Sequence, residues 1–226
     1  DSDVTGEKKE VAIGQGKQIS EEIRRLLSGP LAKNNQAPTT KITRLELPFD
    51  TLRTRAEWEE RVSKGGAGGY HAQVNLARID RGEKLPESIR YLIQTWTFGD
   101  QLALVFLPGE VVVDYSVRLK REFDRKRLAV IAYANDAPCY IPSERILAEG
   151  GYEGGDAMIY YDRPQRLAPG VERRIVDAVH TLIAKAFVCE GVSSGTEGTR
   201  PKLPEESRQC IRTKPGLSVE LVAAEP

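Results

Sequence analysis

Apolar residues at helical spacing predict an amphipathic helix near each end of the folded part of the chain. The first runs through the segment ISEEIRRLLSG, and Gly29-Pro30 is expected to end it. The last follows Pro169-Gly170 and runs through VERRIVDAVHTLIAKAF. The apolar stripe of the first helix consists of Ile19, Ile23, Leu26 and Leu27, and that of the last helix consists of Val171, Ile175, Val179, Leu182 and Ala186.

Runs rich in β-branched and aromatic residues predict four strands. ITRLELPF is a short strand that Pro48 should end, and IRYLIQTWTF with QLALVFL forms a hairpin around Gly99-Asp100. LAVIAYA, residues 128–134, is predicted to be a buried strand. The stretch 135–161 is dense in loop formers and tyrosines.

Three further helices are predicted between these strands. RAEWEERV and YHAQVNLARIDRG are separated by the glycine-rich run 65–69, which is expected to be flexible. PGEVVVDYSVRLKREF contains a helix with Val113, Val117 and Leu119 on one side. Its basic residues are interleaved with acids and are expected to form a solvated face.

The alternation of strands and helices predicts an α/β fold, with a mixed sheet flanked by helices. Residues 1–189 are expected to form the C-terminal portion of a single domain. Residues 190–226 are expected to be a linker followed by the start of another domain, because 190–215 is rich in Gly, Ser, Thr and Pro before the strand-like LSVELVAA. The chain opens on Asp1 rather than Met, which agrees with a segment of a longer protein.

Charge and composition exclude several classes of partner. The 33 basic and 33 acidic side chains cancel, which argues against a nucleic-acid partner. The sequence has no apolar run of about 20 residues, so no transmembrane segment is predicted. Its three cysteines are widely spaced and indicate neither a disulfide framework nor a cysteine zinc site.

Candidate chemistry follows two of the predicted strands. Glu110 comes after QLALVFLPG, while Asn135, Asp136 and Tyr140 come after LAVIAYA. Adjacent strand ends bring such groups to one edge of an α/β sheet, where ligands commonly bind. From the residues alone, Glu110 is also compatible with a helix cap or an ion pair, and Tyr140 with a packing role in a loop.

These segments resemble the closing part of the catalytic domain of the neutral/alkaline non-lysosomal ceramidases. The resemblance covers residues 104–161 most specifically and fades upstream. In that family a Pro-Gly-Glu motif ends a strand, an Arg-Leu-Arg/Lys run lies in the next helix, and an Asn precedes a Tyr by five residues. The matching positions are Pro108-Gly109-Glu110, Arg118-Leu119-Lys120, Asn135, Tyr140 and the later pair Tyr152-Glu153.

The resemblance implies that Glu110 and Tyr140 are zinc ligands and that Tyr152 stabilises the oxyanion formed from the scissile amide. It implies hydrolysis of the amide bond of ceramide, an N-acyl sphingoid lipid, by water bound to zinc. It also favours a secreted or extracytoplasmic location.

This chain departs from the family at the metal site. The two histidine ligands of the family and its Gly-Asp-x-Ser-Pro-Asn segment lie upstream of the Pro-Gly-Glu motif and have no equivalent here. His71 and His180 do not occupy those positions. Zinc is therefore expected only with histidines from upstream sequence, and the fragment alone is expected to be inactive.

The end of the chain supports an alternative function. LPEESRQCIRTKPGLSVELVAAEP resembles the opening of a bacterial membrane-bound dehydrogenase-type β-propeller domain. This resemblance places the chain within a larger multidomain protein. The alternative is a non-catalytic α/β scaffold or docking module in a multidomain redox protein.

Overall fold

A computed structural model describes residues 8–189 of the chain. The predicted linker and the strand-like segment LSVELVAA lie outside the described residues. The chain divides into two compact units, one before Pro38 and one from Pro38 onward. None of the helices in the described part is both long and apolar enough to cross a bilayer.

The first unit contains helix α1, Lys8–Ser28. Its end confirms the stop predicted at Gly29-Pro30. The helix starts well before the predicted segment and runs through Gly14 and Gly16. The side chains of its predicted apolar stripe are exposed, and Leu27 retains 65% of its accessible surface.

The second unit is built on a four-stranded sheet of β1 (Pro38–Pro48), β2 (Ser88–Phe98), β3 (Leu102–Phe106) and β5 (Leu128–Ile131), in that order. The strands β1 and β2 pair antiparallel, as do β2 and β3, whereas β3 and β5 are parallel. The sheet is therefore mixed, which confirms the predicted α/β class.

The core lies between this sheet and two helices, α4 (Val113–Glu122) and α7 (Val171–Leu182). Strand β2 buries alternate side chains, including Tyr91 and Ile93, as the two-residue period of a strand requires. Helix α7 packs against β1 and β2, and α4 packs against β5 and α7. The predicted hairpin is confirmed, because β2 and β3 pair antiparallel, with Phe98 opposite Leu102 next to the turn.

The prediction of which residues of α4 form its apolar face is wrong. Val113 and Val117 are exposed, at 70% and 62%, whereas Tyr115, Leu119 and Glu122 are buried. Residues three or four positions apart share a helix face, so Leu119 lies with Tyr115 and away from Val117.

The basic face of α4 is only partly solvated. The Arg118 guanidinium lies 2.8 Å from Glu122 and 2.7 Å from Glu172, and both carboxylates are almost completely buried. His180 also contacts Glu122, with 2.6 Å between Nε2 and Oε2. Arg118 is therefore the centre of a buried ion network that joins α4 to α7.

The glycine run 65–69 is not a flexible connection. Helix α2, Arg55–Lys64, is followed after Gly65 by helix α3, Gly66–Asp80. A Cβ atom at Gly69 would lie 3.3 Å from the Arg61 carbonyl oxygen. Glycine at this position allows α3 to approach α2 closely.

Two other predicted elements are shorter in the structure. Strand β5 ends at Ile131 and not at residue 134, and Tyr133 has a positive φ of 53°. Helix α7 ends at Leu182, because Ile183 is extended, so Ala186 lies outside its apolar stripe. Within 135–161 the chain forms strand β6 (Tyr140–Ile141), two short helices, α5 (Glu144–Glu149) and α6 (Gly151–Gly154), and the 3-10 helix Asp156–Tyr161.

Candidate functional site

Glu110 and Tyr140 lie side by side in a second, two-stranded parallel sheet. It is formed by β4 (Glu110–Val111) and β6 (Tyr140–Ile141), with Glu110 directly opposite Tyr140. The Glu110 amide donates to the Cys139 carbonyl at 3.1 Å. Directly paired residues on parallel strands project to the same face of a sheet, so the carboxylate and the phenol are neighbours.

Glu110 and Tyr140 follow β3 and β5, which are neighbouring parallel strands, so the carboxyl ends of these strands lie at one edge of the main sheet. Each residue begins a strand of the small sheet several residues after its main-sheet strand ends. The pairing of β4 with β6 then places the two side chains next to each other. Asn135 does not join them, because its amide donates to Gln94 at 3.3 Å, and Asp136 accepts from the amide of Ala137 at 2.7 Å.

Gly109 allows the two short strands to meet. Its φ is +79°, and a Cβ atom there would lie 2.5 Å from the Cys139 carbonyl oxygen. Its amide donates to Asp136 at 2.8 Å, and its carbonyl accepts from Tyr133 at 3.0 Å. Only glycine combines this backbone conformation with so close an approach.

Three tyrosines interact with the Glu110 carboxylate and a fourth packs against the ring of one of them, and we call these four the phenol cluster. Tyr161 donates to Glu110 Oε2 over a long contact of 3.5 Å. The Tyr140 ring stands edge-on to those of Tyr152 and Tyr161, with centroid distances of 5.6 and 6.2 Å. The phenol cluster consists of Tyr133, Tyr140, Tyr152 and Tyr161.

The Glu110 carboxylate contributes to a raised pKa in three of these phenols. Hydrogen bonding to Glu110 raises the pKa of Tyr133 to about 12 and raises that of Tyr140 well above its ordinary value. The pKa of Tyr161 is raised first by burial and then by the negative charge of Glu110. All three are therefore neutral hydrogen-bond donors at neutral pH.

Tyr152 is the most accessible of the phenols predicted to be functional. It lies on α6 and is 54% exposed, yet its ring contacts that of Tyr140. The structure thus brings Glu110, Tyr140 and Tyr152 into one cluster. Tyr133 and Tyr161 were not predicted as site residues, and the density of tyrosines from Tyr133 onward was the available signal.

Neither histidine is a neighbour of Glu110. His180 stacks on Phe123 at 4.4 Å and contacts Glu122, so it belongs to the buried ion network. His71 is buried in α3, beside Asn75. Among residues 8–189, no group of three or more His, Cys, Asp or Glu side chains is arranged to hold a metal ion.

Cys139, the residue before Tyr140, is completely buried. Burial raises the pKa of its thiol to about 12. The side chain is therefore an apolar part of the core, and its thiol is not activated as a nucleophile.

Comparisons of the chain with protein-family models, with curated proteins and with solved structures found no match.

Proposed function

We propose that this chain forms part of a zinc-dependent amidohydrolase resembling the neutral ceramidases, which cleaves the amide bond of N-acyl sphingoid lipids. The observation that supports this proposal is the direct pairing of Glu110 with Tyr140, with Tyr152 against the same phenol ring. These are the three residues that the family resemblance assigns to the site.

Glu110 and Tyr140 fit zinc as an oxygen-donor pair. Carboxylate oxygen is an established zinc ligand, and a phenol ligates once it loses its proton. Zinc usually takes three or four protein ligands, so the remaining donors would come from outside residues 8–189. When bound, the ion would supply a water acidified toward neutral pH and a positive charge beside the amide carbonyl.

The surrounding residues suit a site that holds a carboxylate in one orientation. Tyr161 donates to one Glu110 oxygen, and Tyr133 interacts with the same carboxylate. Hydrogen bonds of this kind fix the direction of a metal-ligating carboxylate. Tyr133 and Tyr161 are therefore positioning residues in this proposal.

Tyr152 suits a role in contact with substrate. In amide hydrolysis, water adds to the carbonyl carbon, the C–N bond breaks, and the amine leaves with a proton. Negative charge develops on the carbonyl oxygen as the water adds. A neutral phenol that donates to this oxygen lowers the barrier, and the exposed position of Tyr152 leaves its hydroxyl accessible.

A non-catalytic scaffold or docking module is the second candidate. The observation that favours it is that Glu110 and Tyr140 supply two donors, fewer than zinc sites commonly use. In this case the phenol cluster would be a packed surface beside Glu110, with no role in metal binding.

Calorimetric titration of the chain with Zn²⁺ separates the two functions. The hydrolase proposal expects weak binding that falls by at least about tenfold in Glu110→Gln and in Tyr140→Phe. Glu87→Gln removes an exposed carboxylate before β2 and is the matched control, with unchanged binding expected.

Equal zinc affinity in the wild-type chain, Glu110→Gln and Tyr140→Phe would exclude the metal-ligand role and favour the scaffold. Tight stoichiometric zinc together with ceramide turnover by this chain would instead show that it holds a complete site. Circular dichroism of each variant establishes that the fold is retained.

A further inference from the structure

A second concave site lies in the same unit, next to α2, α3 and the 3-10 helix Asp156–Tyr161. It is a cavity of about 280 Å³. This volume is near the lower end of the range for small-molecule pockets. Its charged and titratable lining residues are Arg53, Arg61, His71, Asp156, Arg163 and Arg166, and we call this the arginine pocket.

Three of its arginines have no acidic partner within the described part of the chain. Arg53 donates to the Pro164 carbonyl at 2.7 Å, and Arg163 donates to the Pro138 carbonyl at 2.9 Å. Arg61 has no ion pair there, and its Nε is buried without a hydrogen-bond partner. Carbonyl oxygens accept hydrogen bonds but do not neutralise a guanidinium.

Nearby acids offset only part of this excess, because Glu57 acts on Arg53 without forming an ion pair and Asp162, beside His71, is paired with Arg78. Arg166 pairs with Asp50 at 3.0 Å. Asp156 is the acidic residue among the pocket's lining residues. The pKa of Arg53 is lowered, first by burial and then by the charge of Arg61. Two guanidinium groups therefore repel each other at the pocket, an arrangement that an anion would relieve.

His71 adds a neutral donor to the same wall. Asn75 Nδ2 donates to His71 Nε2 at 3.0 Å, while Asn75 Oδ1 accepts from Arg78 at 3.2 Å, which fixes the orientation of the amide. His71 therefore carries its proton on Nδ1, an atom that is buried and has no hydrogen-bond partner among residues 8–189. Burial lowers the pKa of His71; the charge of Asp162 acts in the opposite direction.

We propose that the arginine pocket binds the phosphate group of a small phosphorylated molecule. Guanidinium groups match phosphate oxygens with paired N–H donors, and several unpaired arginines suit a dianion. The cavity is larger than an inorganic phosphate requires, so it has room for part of an organic ester. This inference does not depend on the hydrolase proposal, because it uses neither Glu110 nor the phenol cluster.

Calorimetric titration of the full chain with inorganic phosphate and with glycerol phosphate tests this site. We expect saturable one-site binding that weakens by about tenfold or more in Arg61→Gln. Arg173→Gln is the matched control, because Arg173 is 69% exposed on α7 and does not line the pocket. Tighter binding of the ester would identify a phosphorylated molecule as the occupant, and tighter inorganic phosphate would identify the free ion.

Asp156→Asn gives a test that misfolding cannot imitate. Removing the acid from the lining should tighten phosphate binding, because it removes repulsion between two negative charges. Absence of saturable binding with both ligands, or equal weakening in Arg61→Gln and Arg173→Gln, would overturn the proposal.

Discussion

The side chains of Glu110 and Tyr140 are brought together by direct pairing across two short parallel strands. The segment between them contains all of α4 and β5, so this neighbourhood depends on the packing of the unit. The Tyr140 phenol interacts with the Glu110 carboxylate, and Tyr161 donates to the same group. A single carboxylate therefore organises the candidate site.

Gly109→Ala is expected to destabilise the protein strongly. A positive φ costs an L-residue about 1–2 kcal/mol, and the Cβ contact with the Cys139 carbonyl oxygen would add at least about 2 kcal/mol. Urea unfolding followed by circular dichroism measures the free energy of unfolding.

Gly82→Ala is the matched control for this change. Gly82 has nearly the same φ, +77°, but a Cβ atom there would meet nothing within 4 Å. It should lose only the conformational contribution of about 1–2 kcal/mol. Similar losses in both variants would show that the close approach at Gly109 is unimportant.

Tyr152→Phe should slow amide hydrolysis without weakening zinc binding. Loss of one donor to the developing oxyanion typically lowers kcat by about 100-fold or more. The assay is turnover of a fluorescent N-acyl sphingosine by the longer protein that the hydrolase proposal requires, in which the remaining zinc ligands would be supplied. Tyr70→Phe removes the hydroxyl of an exposed tyrosine on α3 and should leave kcat unchanged. Equal kcat in wild type and Tyr152→Phe would remove Tyr152 from the mechanism.

Glu122→Gln should lower the free energy of unfolding at neutral pH. It should also make that free energy change less as the pH is lowered. Burial alone would raise the pKa of Glu122, but hydrogen bonds from Arg118 and His180 outweigh burial and hold it below its ordinary value of 4.5. The charged carboxylate therefore stabilises the fold above that value, and this contribution is lost as the pH falls through the lowered pKa.

Breaking this buried pair should reduce the free energy of unfolding by about 3 kcal/mol near pH 7. Urea unfolding at about pH 7 and about pH 4 should show a smaller difference between wild type and Glu122→Gln at the lower pH. Asp177→Asn alters an exposed pair on α7 and should change stability by less than about 1 kcal/mol. A constant difference at both pH values would contradict the lowered pKa.

Cys139 should resist thiol reagents in the native protein. Its burial and a pKa of about 12 leave almost no accessible thiolate at neutral pH. Native labelling with a chromogenic disulfide should therefore be the same in wild type and Cys139→Ser. In urea the variant should take up one label less than wild type. A native difference of one label would show that Cys139 is accessible.

Local patterns in the sequence predicted the elements that follow simple periodicity. The β2–β3 hairpin was predictable because β-branched residues flank a glycine turn, and the mixed α/β class follows from the order of elements. Helix α4 was predicted, but not which face is buried. Because Val113 and Val117 are apolar, they were expected to face the core. In the structure Tyr115 and the ion-paired Glu122 are buried on that helix in their place.

The sequence by itself determined where Glu110, Tyr140 and Tyr152 stand along the chain, and the resemblance proposed their roles. Only the tertiary structure decided that they meet, because parallel pairing depends on contacts between segments that are distant in sequence. The arginine pocket was decided in the same way. Its unpaired charges come from separate segments, and no local pattern records which arginines lack a carboxylate partner.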